Sequence, residues 1–234
     1  MTPSTFRTAQ AVDLTDLGPQ YHDYAFFGAR GEQLPGIFGL NQRAKSPMIT
    51  AYMALALASV AEDTAEPSFI ELFCADAYYA MVASRLGARW VRGVDNDRDG
   101  FSGPAPEIAR RLAIEGFELI DADVADLARL EPADVVANVG GLYHVADPET
   151  VLQDSYALAR RYLIVQTVVS LANDDPAYLE VPAPGWDWGS RMNPVSFDTM
   201  VRDQGWQLLA WHQNELTGNS ELKDRGSVYY LIEK

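Results

Sequence analysis

A chain of 234 residues with 48% hydrophobic and 22% charged content is long enough for one full-sized core, so a single domain is expected. Its 33 acidic against 18 basic side chains leave a net charge of −15, which repels phosphate backbones and disfavours nucleic acid as a partner. Cys74 is the single cysteine, no eighteen apolar residues run together, and Met1-Thr2-Pro3-Ser4-Thr5-Phe6-Arg7 has no apolar run behind a basic start; a reducing, cytoplasmic setting without a membrane span is expected.

The first stretch, 1–45, carries glycines and aromatics (Tyr21, Tyr24, Phe26, Phe27, Phe38) without a clean period and reads as an irregular cap over a core or pocket. Ser46-Pro47 then supplies an N-cap followed by proline at the first helical position, predicting a helix over 48–61 and a main domain over 46–234. Strand and helix patterns alternate from there. Strands are expected at 69–73, 90–95, 117–120, 134–138 and 162–168, with helices at 76–86, 106–115 and 148–160 between them. A polar, Pro/Trp-rich insertion at 171–191 precedes a helix begun by Asn193-Pro194, and two last strands at 206–212 and 226–232 flank a long turn. This pattern predicts an α/β fold, a doubly wound, mostly parallel seven-stranded sheet with an antiparallel edge strand.

Ligands of such sheets sit beyond the carboxyl ends of the strands, where strand order reverses. There the chain places Glu71 in the first strand, Asp95 and Asn96 at the end of the second, and Asp123-Val124 after the third. An acid after the second strand can accept from both ribose hydroxyls, and Asp123 with Val124 is placed to hold the edge and face of an adenine. Taken singly, Asp95 could be a helix cap, Glu71 a satisfied buried acid, and Asp121 or Asp126 a substitute for Asp123. Three acids at three consecutive strand ends describe a nucleoside site better than any one of them.

Acid-hydrophobic-x-x-small-x-small after strand one, an acid after strand two and Asp-hydrophobic after strand three resembles the class I S-adenosylmethionine-dependent methyltransferases, over about 67–168. The resemblance implies a Rossmann-like fold, S-adenosylmethionine as cofactor and methyl transfer as activity. Where that family shows G-x-G-x-G this chain has Phe73, Ala75 and Ala77, none with glycine's freedom for positive φ. The same loss argues against a dinucleotide, whose pyrophosphate needs close backbone approach, whereas a methionine moiety carries no phosphate.

Val139-Gly140-Gly141-Leu142-Tyr143-His144, with Asp147-Pro148 just beyond, resembles the G-x-L-Y-H segment of the tRNA wobble-uridine carboxymethyltransferases and their methyltransferase relatives. That likeness implies a cofactor role for Tyr143 and a counterpart at Arg225 for an arginine that begins the last strand; Val139 and Tyr143 are assigned to the rim beside the methyl. The family's lysine for a carboxylated cofactor has no counterpart, since Glu32 or Gln33 stands about there, so unmodified S-adenosylmethionine is expected.

His144 follows strand four, where an acceptor would meet the methyl, and with Tyr143 it is the candidate catalytic pair; a lone histidine is also often only a polar hydrogen-bonding residue. Trp186, Trp188 and Arg191 of the insertion could roof a substrate pocket, or merely pack on the core. His22 and His212 receive no role, and no His/Cys spacing suggests a metal. The reading is a methyltransferase acting on the oxygen or nitrogen of a small-molecule acceptor. Its rivals are a tRNA-modifying enzyme and a non-catalytic nucleoside-binding protein.

Overall fold

The computed structural model describes residues 11–234. The opening segment read for a secretion signal, and the start of the cap segment, lie outside the described residues. Among these, no helix is long and apolar enough to cross a membrane.

The core elements follow in chain order as α1 (Phe38–Val60), β1 (Ser68–Leu72), α2 (Tyr78–Arg85), β2 (Trp90–Asp95), α3 (Ala105–Arg111), β3 (Phe117–Asp121) and β4 (Ala133–Val139). Then come α4 (Pro148–Leu158), β5 (Ala159–Val169), two short strands β6 (Leu179–Glu180) and β7 (Arg191–Met192), α5 (Pro194–Asp203), β8 (Gln207–Glu215) and β9 (Gly226–Glu233). Seven strands form one sheet in the order β3-β2-β1-β4-β5-β9-β8. β1 to β5 pair in parallel, and β9 runs antiparallel to both β5 and β8. The reversed strand therefore lies one place in from the edge, with β8 outermost.

Side chains alternate across the central strands, as a pleated sheet covered on both faces requires. Phe69 of β1, Val135 and Ala137 of β4 and Ile164 of β5 meet Ile49, Met53 and Leu57 of α1 together with α2 and α3. Ile70 and Leu72, Val136, Leu163 and Val165 face the other way, onto Leu152 of α4 and Phe197 and Val201 of α5. α5 begins where Asn193-Pro194 said it would, with a reciprocal cap between Asn193 and Ser196.

α1 is the main departure. It starts at Phe38, not at Ser46, and carries Pro47 inside it. Proline costs one helix bond there, but Pro47 is exposed, and the turns on either side bury Gln42, Lys45, Ile49 and Tyr52. Tertiary packing thus overrides the local start signal. Ser46 turns from a cap into a partner of the Tyr79 hydroxyl at 3.0 Å. The continuous helix joins the cap segment to the rest across position 45. Its preceding residues form two single turns, Thr15–Leu17 and Tyr24–Phe27, as irregular as the sequence suggested.

Candidate active site

The strand order reverses between β1 and β4, and beyond their carboxyl ends opens a cavity of about 350 Å3. Glu71, Phe73, Ala75, Asp95, Asn96, Asp123, Val124, Val139 and Tyr143 all line it, so nine of the ten cofactor candidates converge. Asn96 donates from Nδ2 to Asp123 Oδ2 at 2.9 Å, tying the ends of β2 and β3 together.

The loop after β1 takes the conformation that glycines would give. Phe73, Ala75 and Ala77 have φ of 56°, 47° and 58°, left-handed values that cost an L-residue roughly 1–2 kcal/mol each. The expectation that these residues lack the freedom for positive φ is thereby corrected: they adopt it under strain, held by neighbours. Asp95 Oδ2 accepts the Ala75 N–H at 2.9 Å while its Oδ1 accepts from Asp97 N, and Glu71 Oε2 accepts from Ala80 N at 2.7 Å.

Space is made by glycines opposite the loop. A methyl on Gly93 would stand 2.8 Å from the Cβ of Ala77, and one on Gly141 would stand 2.0 Å from the ring of Phe73. Ala77 is fully buried at the start of α2, so it supports the loop from behind and does not line the cavity.

Burial pushes the Glu71 carboxyl well above its usual range, against the bonds from backbone N–H groups, and it pushes Asp95 up in the same direction. These are acids that a cationic ligand would draw into the charged form.

A second chamber of about 500 Å3 adjoins the first. Tyr21, His22, Lys45, Asp99, Phe101, Tyr143, His144 and Trp188 line both and mark their junction. The insertion at 171–191 forms one wall. β6 pairs with β7, the Ser190 N–H donates to the Tyr143 carbonyl at 3.1 Å, and Gly189, at φ 71°, lets the chain pass where a methyl would strike that carbonyl.

Trp186 and Trp188 stack at 4.5 Å, and Trp188 lies nearly parallel to His144 at 4.9 Å. Arg191 lies beneath, buried, its guanidinium 5.3 Å from the Tyr143 ring centre and 5.4 Å from that of Trp186. Asp224 Oδ1 accepts from Arg191 Nη2 at 2.7 Å. The tryptophans therefore line a chamber rather than a surface turn.

Burial and the cations Arg191, Lys45 and Arg98 lower the His144 pKa to about 4, so its imidazole is neutral and only weakly basic near pH 7. Burial holds the Tyr143 hydroxyl up at about 12. Both suit hydrogen bonding and stacking better than proton abstraction.

Arg225 is not brought to the site: its Nε lies 2.8 Å from Glu215, and it lines neither cavity. Its place before β9 points it to the neighbouring strand. Glu32 and Gln33 line neither cavity either. Tyr21, His22 and Lys45 are not legible from the sequence, because they come from the segment without period and from a turn of α1 that precedes the Ser46-Pro47 start signal. Lys45 is buried and, among the described residues, has no ion pair or hydrogen bond; burial lowers its pKa to about 8 despite nearby Glu71.

No family model matches the sequence, and no curated protein matches it either. Solved structures do, and they define the class of fold: this is the Rossmann-like fold of the class I S-adenosylmethionine-dependent methyltransferases. The N-terminal domain of EvdMO1, crystallised in the presence of S-adenosylhomocysteine (SAH) and D-fucose, aligns with TM-score 0.62 and 18% identity over 93% of this chain and 92% of that one. Magnesium protoporphyrin IX methyltransferase (ChlM) from Synechocystis PCC 6803, with bound SAH, aligns with TM-score 0.61 and 15% identity over 90% of this chain and 93% of its own. TehB from Haemophilus influenzae aligns with TM-score 0.55 and 15% identity over 76% of this chain and 60% of its own.

Proposed function

We propose that this chain is an S-adenosylmethionine-dependent methyltransferase whose acceptor is a small molecule, methylated on oxygen or nitrogen. The observation that carries the reading is the pair of joined cavities, one lined by acids from three successive strand ends and the other by stacked aromatics. The solved structures of like fold that hold S-adenosylmethionine or its product SAH support it.

The first cavity fits the cofactor chemically, because buried Glu71, shifted toward the protonated form, gains from the cationic amino-acid end, and half-buried Asp95 offers a carboxylate acceptor for ribose hydroxyls. Glu71 would hold the amino-acid end, Asp95 with Asn96 the ribose, and Asp123 with Val124 the adenine, while Phe73 and Ala75 shape the floor. When bound, the cofactor supplies a methyl already activated by its sulfonium, so the protein contributes binding, alignment and electrostatics. Val139 and Tyr143 form the rim between the chambers. Trp186, Trp188, His144 and Arg191 enclose an acceptor, exclude water and favour a planar or anionic molecule over a polymer.

This reading sets the sign of a pH effect. With the Glu71 carboxyl raised by burial, its protonated form competes with a bound cation, so affinity rises with pH across the range where Glu71 titrates. Calorimetry with S-adenosylmethionine in buffers of different ionisation enthalpy is expected to show net proton release, reduced in Glu71→Gln. Proton uptake, or no linkage, would remove Glu71 from the site.

The small-molecule reading also has a direct check, since the chain's net charge opposes RNA. A gel-shift titration with bulk tRNA near physiological salt should show no specific complex. Micromolar or tighter binding that falls steeply with added salt would favour the tRNA-modifying alternative.

A further inference from the structure

His22 and Asp76 form a buried pair outside the strand-end acids. The ring Nδ1 of His22 lies 2.6 Å from Asp76 Oδ1, and the His22 backbone N–H donates to Oδ2 at 2.8 Å, so both carboxylate oxygens grip one residue. The Tyr24 hydroxyl donates to the Asp76 carbonyl at 2.9 Å and fixes the backbone beneath. Tyr78 stacks on the imidazole at 4.8 Å, with Tyr21 and Tyr79 edge-on. His22 and Asp76 are 5% and 1% exposed, yet His22 lines both chambers at their junction. A carboxylate on Nδ1 selects the tautomer that carries its proton there and leaves the Nε2 lone pair free, and among the described residues nothing bonds to Nε2. An oriented imidazole, its Nε2 without a partner among the described residues, therefore lines the junction of the two chambers.

Resting on the methyltransferase reading above, we infer that His22, positioned by Asp76, is the catalytic base of this site and that the acceptor group is a hydroxyl. Nε2 takes the hydroxyl proton as the oxygen forms its bond to the methyl carbon. The carbon–sulfur bond breaks and its electron pair stays on the sulfur of SAH. The proton rests on the imidazole, its charge offset by Asp76, and later passes to solvent. A neutral amine would need no such base before attack, which is why the pair points to oxygen. His144, neutral and shielded by cations, is left to stack against the acceptor.

His22→Asn separates this role from a structural clamp: it puts an amide N–H near the place of Nδ1, keeping the bond to Asp76 while deleting Nε2. In the full chain with saturating SAH, 15N NMR of the histidine rings should show His22 as the Nδ1–H tautomer, and Asp76→Asn should disturb it. With S-adenosylmethionine at mildly alkaline pH, the probes are phenol, un-ionised because such hydroxyls ionise near pH ~10, and 4-nitrophenol, which is already ionised. His22→Asn should lower phenol turnover ~10²–10⁴-fold with little change in KM, and 4-nitrophenol turnover far less. An Nε2–H tautomer, equal losses for both probes, or methylation of neither by the unaltered chain would overturn the base assignment. Retained SAH binding in those cases would leave the methyltransferase reading standing, whereas failure of the unaltered chain to bind SAH would remove that reading itself.

Discussion

Asp95→Ala is expected to weaken S-adenosylmethionine binding by about 1.5–3 kcal/mol, roughly ten- to a hundredfold in dissociation constant, because bonds to a charged acceptor are worth that much. Two losses combine. The ribose would lose its carboxylate, and the loop after β1 would lose the acceptor that holds Ala75 at φ 47°. Without Asp95 Oδ2 the Ala75 N–H has no partner at that turn, and relaxation toward negative φ would move the backbone that floors the cavity. Asp95→Asn is not a silent control, since its amide nitrogen in the Oδ2 position would face the N–H of Ala75. Calorimetry on both variants checks the expectation, with SAH as a second ligand. An unchanged dissociation constant for Asp95→Ala would contradict the ribose assignment.

Gly141→Ala should destabilise the fold by about 3 kcal/mol, at the upper end of typical over-packing costs. The added methyl would lie 2.0 Å from one Phe73 ring carbon and 2.4 Å from another, far inside contact distance, and Phe73 is itself pinned at φ 56°. The ring has the β4 end on one side and the cavity on the other, so escape means swinging into the cofactor space. Thermal unfolding should show a drop of roughly 6–12 °C for a chain of this size. Phe73→Ala in the same chain should recover a large part of it, because the clash partner is gone. Two losses that simply add would mean that Phe73 and Gly141 do not meet.

Much of this architecture is legible in the residues. Alternating strand and helix patterns give the order of elements, Asn193-Pro194 marks a helix start to the residue, and Asp95 and Asp123 fall where apolar runs stop, with Glu71 one place before the end of β1. The insertion's tryptophans could be suspected, since few reasons exist to place two indoles, an arginine and four glycines and prolines in the ten residues 182–191.

What stays hidden depends on contacts distant in sequence. Ser46-Pro47 reads as a helix start by local rules, and only the burial of Gln42 and Lys45 against the rest of the molecule extends α1 back to Phe38. Tyr21 and His22 lie in a stretch without period, and Asp76, fifty-four positions on, is the partner that gives His22 meaning. Arg225 errs in the opposite direction: its place at the start of β9 fitted a resemblance, but Glu215 on the adjacent strand claims it. In the loop, the substitution of three expected glycines is visible, whereas the conformation they keep and the glycines opposite that accommodate them are not.

The central claim is that a nucleoside cofactor sits in the cavity of strand-end acids, and a crystal of the full chain grown with SAH tests it most directly. Density is expected with the ribose on Asp95, the adenine against Val124 beside Asp123, and the amino-acid end toward Glu71, leaving the aromatic chamber open beside the sulfur. Density outside that cavity, or none at saturating ligand, would contradict it.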